Sequence, residues 1–323
     1  MKASKILLDF VNSYKNKKII ICGHERPDAD STSSQFALQF LLNALGICEV
    51  YCVKQSPYQR NLAPLLSAFK TIDIEDIDKQ STLVCVDCSS MSRISKEIQS
   101  KFSEVALQID HHASNNYYAK KNLVEEYEVA TAEIISNLFI DLNIVPNIDV
   151  ARLLYAGLIS DSRSFSLPTT TFNTFEIAKW LLNYGVEPNE IYNVVFNSEP
   201  IEKIKLQNIM FDNIEFYYNN RICIGTIRQA DIKNTQSHNV DKTGFVEKML
   251  SIENVEIAVL LTEKSEGIKV NMRSLLMNAK LNTIAETYGG GGHFEAAAFT
   301  SKNKNIAELK LVLADTLSKM LSH

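Results

Sequence analysis

The chain has 323 residues, of which 46% are hydrophobic and 22% charged, and its formal net charge is −5. That length exceeds the roughly 100–200 residues of a typical domain, so two domains are expected, each able to bury a core without disulfides. The acidic balance argues against long duplex DNA as a partner, and no apolar run reaches the roughly 18–20 residues of a membrane span, so no membrane partner is expected either.

Residues 1–18 carry Ile6, Leu7, Phe10, Val11 and Tyr14 at helical spacing and lack the features of a signal peptide, which predicts an amphipathic helix and a cytoplasmic location. From residue 18, apolar strands alternate with helical patterns: KKIIICG, a helix over 31–45, CEVYCV, LVCVD and ALQID. Short continuous apolar strands separated by helices predict a parallel sheet covered on both faces, an α/β domain of the doubly wound kind. Helical patterns follow over 130–142, 149–159 and 174–184, the last closed by Gly185. Residues 186–200, with Pro188, Asn189, Asn197, Ser198 and Pro200, read as a linker region. Beyond it a long helix over 201–217, the strands RICIGTI, EIAVLLTE and GIKVNMRS, a helix near 281–288 and a terminal helix from about Asn305 predict a smaller α/β domain. The expected division is 1–190 for the first domain, 191–218 for linker and connecting helix, and 219–323 for the second. Cys22, Cys48, Cys52, Cys85, Cys88 and Cys223 lie mostly in apolar runs, as reduced thiols do. Cys85 and Cys88 have C-x-x-C spacing, but no second pair accompanies them, which argues against zinc or redox chemistry.

Polar residues at the ends of the apolar strands carry the chemistry. GHERPDAD (23–30) sets His24, Asp28 and Asp30 in one strand-to-helix turn that Asp30 or Ser31 could cap, Asp87 ends LVCVD, and Asp110, His111 and His112 end ALQID. Charged groups there cost desolvation energy unless something pairs with them, and ligand sites of parallel sheets lie at the carboxyl ends of the strands. Asp161, after the apolar run YAGLIS, adds a further carboxylate. Asp28, Asp30, Asp87 and Asp161 with His24 and His111 amount to four negative charges and two imidazoles, which two divalent cations would neutralise. Such an oxygen-rich set favours manganese or magnesium over thiolate-bound zinc. Near the other end, VNMRS and YGGGGHFEAAAF bring Arg273, Gly289, Gly290, Gly291, Gly292 and His293 into view, where glycine backbone and two cationic side chains could hold an anion.

The series H-x-x-x-D-x-D, lone D, D-H-H and lone D resembles the DHH phosphoesterase superfamily. The resemblance implies that His24, Asp28 and Asp87 hold one metal and Asp30, Asp87, His111 and Asp161 the other, with Asp87 bridging. It implies that His112 contacts the scissile phosphate or assists the leaving group and that Asp110 orients the histidines. The glycine segment resembles the DHH-associated C-terminal domain of nanoRNases, so the likeness runs from about residue 18 to residue 300. Implied with it are two manganese ions, replaceable by magnesium or cobalt, and an active site in the cleft between domains. The implied substrates are short RNA, linear dinucleotides of the pApA kind, or 3′-phosphoadenosine 5′-phosphate; a homodimer is compatible with the reading. Ser33, Arg163 and Ala298 stand where the family commonly has glycine. GHERPDADS and SDSRSFSLPTTT also look like segments of manganese-dependent inorganic pyrophosphatases, but the arginine-lysine-lysine cluster of those enzymes is missing. A nucleotide-binding regulator without turnover is the other alternative, and the complete ligand set argues against it.

Overall fold

The computed structural model describes residues 3–54, 62–67, 69–197, 199–238, 242, 244–277, 279–302 and 305–321. The chain divides into two compact units, Met1–Ser198 and Glu199–His323.

The first unit runs α1 (Ala3–Tyr14), β1 (Ile19–Cys22), α2 (Ala29–Ala44), β2 (Val50–Val53), α3 (Ala63–Leu66), β3 (Thr71–Ile72), β4 (Thr82–Val86), α4 (Lys96–Gln99), β5 (Leu107–Asp110), β6 (Lys121–Val124), α5 (Thr131–Asp141), α6 (Ile148–Asp161), α7 (Phe172–Leu182) and α8 (Pro188–Phe196). The six strands form one parallel sheet in the order β3-β2-β1-β4-β5-β6. Strand β1 shows why an inner strand can be apolar throughout. Ile19 and Ile21 enter a large core with residues of α1, α2, α5 and α6, whereas Ile20 and Cys22 enter a smaller one with Leu83, Cys85, Ile94 and Ile98. Because successive side chains of a strand point to opposite faces, burial of both faces of β1 calls for apolar residues at all four of its positions.

Three local expectations are corrected. Helix α2 begins at Ala29, two residues earlier than expected, because Asp28 and not Asp30 or Ser31 is its N-cap: the Asp28 carboxylate accepts the Ser31 N–H at 3.0 Å. The stretch 186–200, expected as a linker, does contain the boundary between the units, but most of it is α8, which starts with Pro188 in its first turn and buries Ile191 in the main core. The helix expected over 201–217 stops at Asp212, and residues 215–217 form a strand.

The second unit runs α9 (Ile201–Asp212), β7 (Glu215–Tyr217), β8 (Ile222–Ile227), α10 (Gln229–Asn234), α11 (Phe245–Leu250), β9 (Ile257–Lys264), β10 (Gly267–Ser274), α12 (Leu281–Thr287), β11 (Gly291–Gly292), β12 (Ala296–Ser301) and α13 (Ile306–Ser318). Its sheet has the order β11-β12-β10-β9-β8-β7, with β8 and β9 parallel and the other neighbours antiparallel. One core lies under α12 and α13 and a second under α9 and α11.

Candidate metal and catalytic site

In the first sheet the strand order reverses between β1 and β4, whose neighbour on the far side is β5. At such a switch point the connections leave in opposite directions and open a crevice at the carboxyl ends of the strands. His24 and Asp28 follow β1, Asp87 follows β4, and His111 and His112 follow β5. Asp30 lies in the first turn of α2, and Asp161 is the last residue of α6. Ligand atoms of His24, Asp28 and Asp87 lie within 4.8 Å of one another, as do those of Asp30, His111 and Asp161, and those of Asp87, His111 and His112. Asp87 faces both histidine sides: its Oδ2 is 3.7 Å from His24 Nε2 and its Oδ1 is 3.6 Å from His111 Nε2. His111 Nε2 is in turn 3.4 Å from Asp161 Oδ2.

Several features of this arrangement suit a cation. The Asp87 carboxyl is pushed well above the usual carboxylate range by burial and then by Asp30, Asp28, Asp161 and Asp110. Asp161 is pushed well up by burial and by Asp30 and Asp28, and it sits where the helix dipole is already negative. Asp30 is raised by its burial, although the N–H groups of Thr131 and Ala132 bind its oxygens at 2.7 and 2.9 Å. His111 Nδ1 is 3.2 Å from the carbonyl oxygen of Glu128, which can only accept, so Nδ1 carries the proton. In the neutral ring that leaves Nε2 as an electron-pair donor, and this buried atom has no hydrogen-bond partner. A backbone acceptor behind one ring nitrogen and the carboxylates of Asp30, Asp87 and Asp161 grouped with the other form a donor set suited to divalent ions.

The backbone holds these groups at some cost. Asp87 has φ +51°, a left-handed conformation unfavourable for a residue with a Cβ, while its N–H donates to the Ile109 carbonyl at 2.9 Å and its Oδ1 accepts from Thr131 Oγ1 at 3.2 Å. After Asp161, three consecutive residues, Arg163, Ser164 and Phe165, have φ between +47° and +65°. Phe165 anchors that turn between Tyr155 and Phe175, at ring distances of 6.4 and 5.1 Å.

His112 is held differently. Its Nδ1 is 2.7 Å from Asp110 Oδ1, and Asp110 is fully buried. Burial pushes the Asp110 carboxyl up, but the His112 hydrogen bond and charge, with Asn115 and His111, outweigh it and hold it below the ordinary range. Thr131, Glu128 and Gly157 complete the surroundings and were missed from the sequence. Gly157 marks a close approach, since a Cβ there would meet Asp30 Oδ1 at 2.8 Å and the Ala132 Cβ at 2.7 Å.

In the second unit, Arg273 lies on β10 with its Nε 3.1 Å from Glu247 Oε1, so its guanidinium already has a carboxylate partner. The glycine run departs from the expected anion cradle. The N–H groups of Gly289 and Gly290 donate to Glu286 and Ala285 at the end of α12, and that of His293 donates to the Ala296 carbonyl. Gly289 and Gly292 have positive φ, at +73° and +146°. At Gly290 and Gly292 an added Cβ would collide with the Ala298 and Ala296 carbonyls, while Gly291 faces open space. Packing of a tight hairpin on β12 therefore accounts for most of the run, and the His293 side chain stands exposed beside it.

Fold and site together define a doubly wound α/β protein with an acidic, histidine-containing cluster at its switch point that could hold metal ions. The chain carries a DHH domain and a DHHA1 domain: residues 18–158 match the DHH family, N-terminal domain, and residues 222–319 match the DHHA1 domain. It is 29% identical over 323 residues to a protein of Streptococcus mutans named probable bifunctional oligoribonuclease and PAP phosphatase NrnA, an alignment spanning 97% of this chain and 100% of that one. It is 26% identical over 288 residues to the bifunctional oligoribonuclease and PAP phosphatase NrnA of Thermus thermophilus, covering 89% and 85% of the two chains. The fold is also that of an exopolyphosphatase-related protein from Bacteroides fragilis, with a TM-score of 0.83 at 20% identity over 98% of this chain and 96% of that one. Among the described residues no helix is long and apolar enough to cross a membrane.

Proposed function

We propose that this protein is a two-metal phosphoesterase that hydrolyses short oligoribonucleotides to mononucleotides and converts 3′-phosphoadenosine 5′-phosphate to AMP. The observation that carries the reading is Asp87, whose two oxygens face two separate groups of ligands, His24 with Asp28 and His111 with Asp161. The names of relatives that align over most of their length with this chain support the substrate class. Manganese is the proposed ion, with magnesium or cobalt as substitutes, because each group combines carboxylates with a single imidazole. His24, Asp28 and Asp87 would hold one ion and Asp30, Asp87, His111 and Asp161 the other. Bound there, the ions would supply Lewis acidity toward phosphoryl oxygens and cancel the charge that otherwise repels an anionic substrate.

The chain's own residues do the rest. The Glu128 carbonyl keeps His111 in the tautomer with Nε2 unprotonated. Asp110 accepts the Nδ1 proton of His112, so only the doubly protonated ring, which also carries a proton on Nε2, can deliver a proton to the departing oxygen, and that ring is left neutral afterwards. Arg273 and His293 contribute nucleotide contacts, which for Arg273 requires a phosphate to compete with Glu247. The six free cysteines, five of them buried, suit the reducing cytoplasm.

The test is hydrolysis of a 5′-phosphorylated dinucleotide, 3′-phosphoadenosine 5′-phosphate and pyrophosphate by chelated protein before and after manganese is restored. Manganese-dependent release of AMP from the first two, with pyrophosphate cleaved slowly or not at all, is expected. Full turnover in metal-free protein, or a preference for pyrophosphate, overturns the proposal.

A further inference from the structure

Behind His112 lies a chain of buried and half-buried amides outside the clusters of ligand atoms. Asp110 offers two oxygens: Oδ1 faces His112 Nδ1 at 2.7 Å, and Oδ2 accepts from Asn115 Nδ2 at 2.6 Å. An asparagine could present its oxygen instead, which would repel the carboxylate, so the direction of its amide matters. Here the backbone decides it. Asn115 Oδ1 receives the N–H of Tyr117 at 2.7 Å, and because a backbone N–H can only donate, the amide nitrogen must face Asp110.

Gln108 repeats the logic one residue deeper. Its Nε2 donates to Asn115 Oδ1 at 2.8 Å and to Asn122 Oδ1 at 2.7 Å, while its Oε1 takes the remaining Asn115 proton at 3.3 Å. Asn122 is oriented by the Ala119 N–H, which donates to its Oδ1 at 3.1 Å, and its own Nδ2 donates back to the Ala119 carbonyl at 2.8 Å. Gln108 and Asp110 are fully shielded from solvent, and Asn115 is 8% exposed. Two backbone N–H groups thus set every amide in the series, and each buried polar atom in it has a partner. A fully satisfied buried network of this kind specifies a single geometry.

We infer that Asn115, clamped by Gln108, is a positioning residue that fixes Asp110 and through it the orientation of the His112 ring. The inference rests on the reading of His112 as proton donor to the leaving oxygen. The donor from Asn115 occupies the Asp110 oxygen that would otherwise be unpaired and holds the carboxylate plane so that its other oxygen meets Nδ1. Without that donor the carboxylate can rotate, and His112 Nε2 loses its fixed direction. Binding of substrate and metal should be spared, since neither Asn115 nor Gln108 belongs to the clusters of ligand atoms.

The test compares Asn115→Leu, Gln108→Leu and His112→Ala with the unaltered protein, each loaded with manganese, on a 5′-phosphorylated dinucleotide and on bis-p-nitrophenyl phosphate. The dinucleotide expels a poor leaving group that needs a proton, and the nitrophenyl ester expels one that does not. Expected for Asn115→Leu is a loss of about 10- to 100-fold in kcat on the dinucleotide, the effect of about 1.5–3 kcal/mol for a hydrogen bond to a charged group. KM should stay within about twofold, metal content should be unchanged, and the loss on the nitrophenyl ester should be much smaller. Gln108→Leu should show the same pattern more weakly, and it carries the test if Asn115→Leu does not fold. Adding Asn115→Leu to His112→Ala should cost little more. Selective loss in His112→Ala but equal loss on both esters, or none, in the Asn115 and Gln108 variants overturns the positioning role. Equal loss on both esters in His112→Ala itself overturns the underlying reading of His112.

Discussion

Asp87→Asn should change the stability of the metal-free and the metal-loaded protein in opposite directions. The substitution keeps size and removes one charge from a group in which the Asp28 and Asp87 ligand oxygens are within 4.8 Å. Two unit charges at that distance repel by about 1 kcal/mol at the dielectric of water and about 3.5 kcal/mol at an effective value near 20. Proton uptake already relieves part of this, because burial and four neighbouring carboxylates raise the Asp87 carboxyl above its unfolded value. For a group raised in this way, folding binds a proton; the stabilisation is held at low pH and lost as pH rises through the folded value. The gain from Asp87→Asn therefore grows toward alkaline pH. At roughly 2–4 °C per kcal/mol for a unit of this size, relief of about 1–2 kcal/mol raises the first unit's Tm by about 2–8 °C in chelator.

With manganese the sign reverses. A ligand at 100 times its Kd stabilises the native state by about 2.7 kcal/mol, or about 5–11 °C here. An amide offers one oxygen and no charge, so it cannot serve both groups of ligands, and most of that gain should vanish. Differential scanning calorimetry at pH 8, with chelator and with manganese, reads both quantities. An Asp87→Asn variant whose manganese-induced shift equals that of the unaltered protein would refute the bridging geometry.

Glu128→Gln should flatten part of the pH dependence of stability, because burial, and then the charge and hydrogen bond of Glu133, push the Glu128 carboxyl from 4.5 to about 7. Folding takes up its proton between those values, so stability falls as pH rises from about 4.5 to 7; the glutamine keeps a permanent donor and should melt higher than the unaltered protein at pH 8 and similarly at pH 4.5. Gly290→Ala and Gly291→Ala separate packing from openness in the glycine hairpin, since a Cβ collides with the Ala298 carbonyl and Phe299 at the first and meets nothing within 4 Å at the second. The first should lower the Tm of the second unit by several degrees, an overpacking cost of about 1–3 kcal/mol, and equal melting of the two variants would contradict it. Arg273→Ala and His293→Ala should cut kcat/KM on a 5′-phosphorylated dinucleotide by about tenfold to a hundredfold, the usual effect of losing a charge-assisted contact, and much less on bis-p-nitrophenyl phosphate. Metal content should stay unchanged, and equal losses on both substrates would place these residues in the chemical step.

Much of this molecule is written in local pattern. An unbroken apolar run such as IIIC is stable only where both faces of a strand are covered, so the parallel sheet and its polar strand ends follow from composition along the chain. The order of His24, Asp28, Asp87, Asp110 and His111 along those ends, with Asp161 closing α6, carries the DHH likeness that the match over residues 18–158 bears out. Signals over a few residues were less decisive. The prolines that suggested a linker include one that starts α8, because a proline can open a helix as readily as it can interrupt one. Four glycines suggested an anion cradle, yet their N–H groups and missing Cβ atoms are largely used in closing a hairpin against β12.

Only tertiary structure decided which oxygen of Asp87 meets which histidine, because that depends on β1, β4 and β5 lying side by side and on the left-handed turn at Asp87. The same holds for Asp30, which serves α5 from 101 residues away by accepting the N–H of Thr131. Gln108 left one trace in the sequence, a polar residue within the apolar run ALQID, but nothing along the chain told that it would meet Asn115 and Asn122. Periodicity reports burial, because burial repeats with the geometry of each element. The direction of a hydrogen bond is set by whichever group the fold brings opposite, and at Asn115 that group is the backbone N–H of Tyr117.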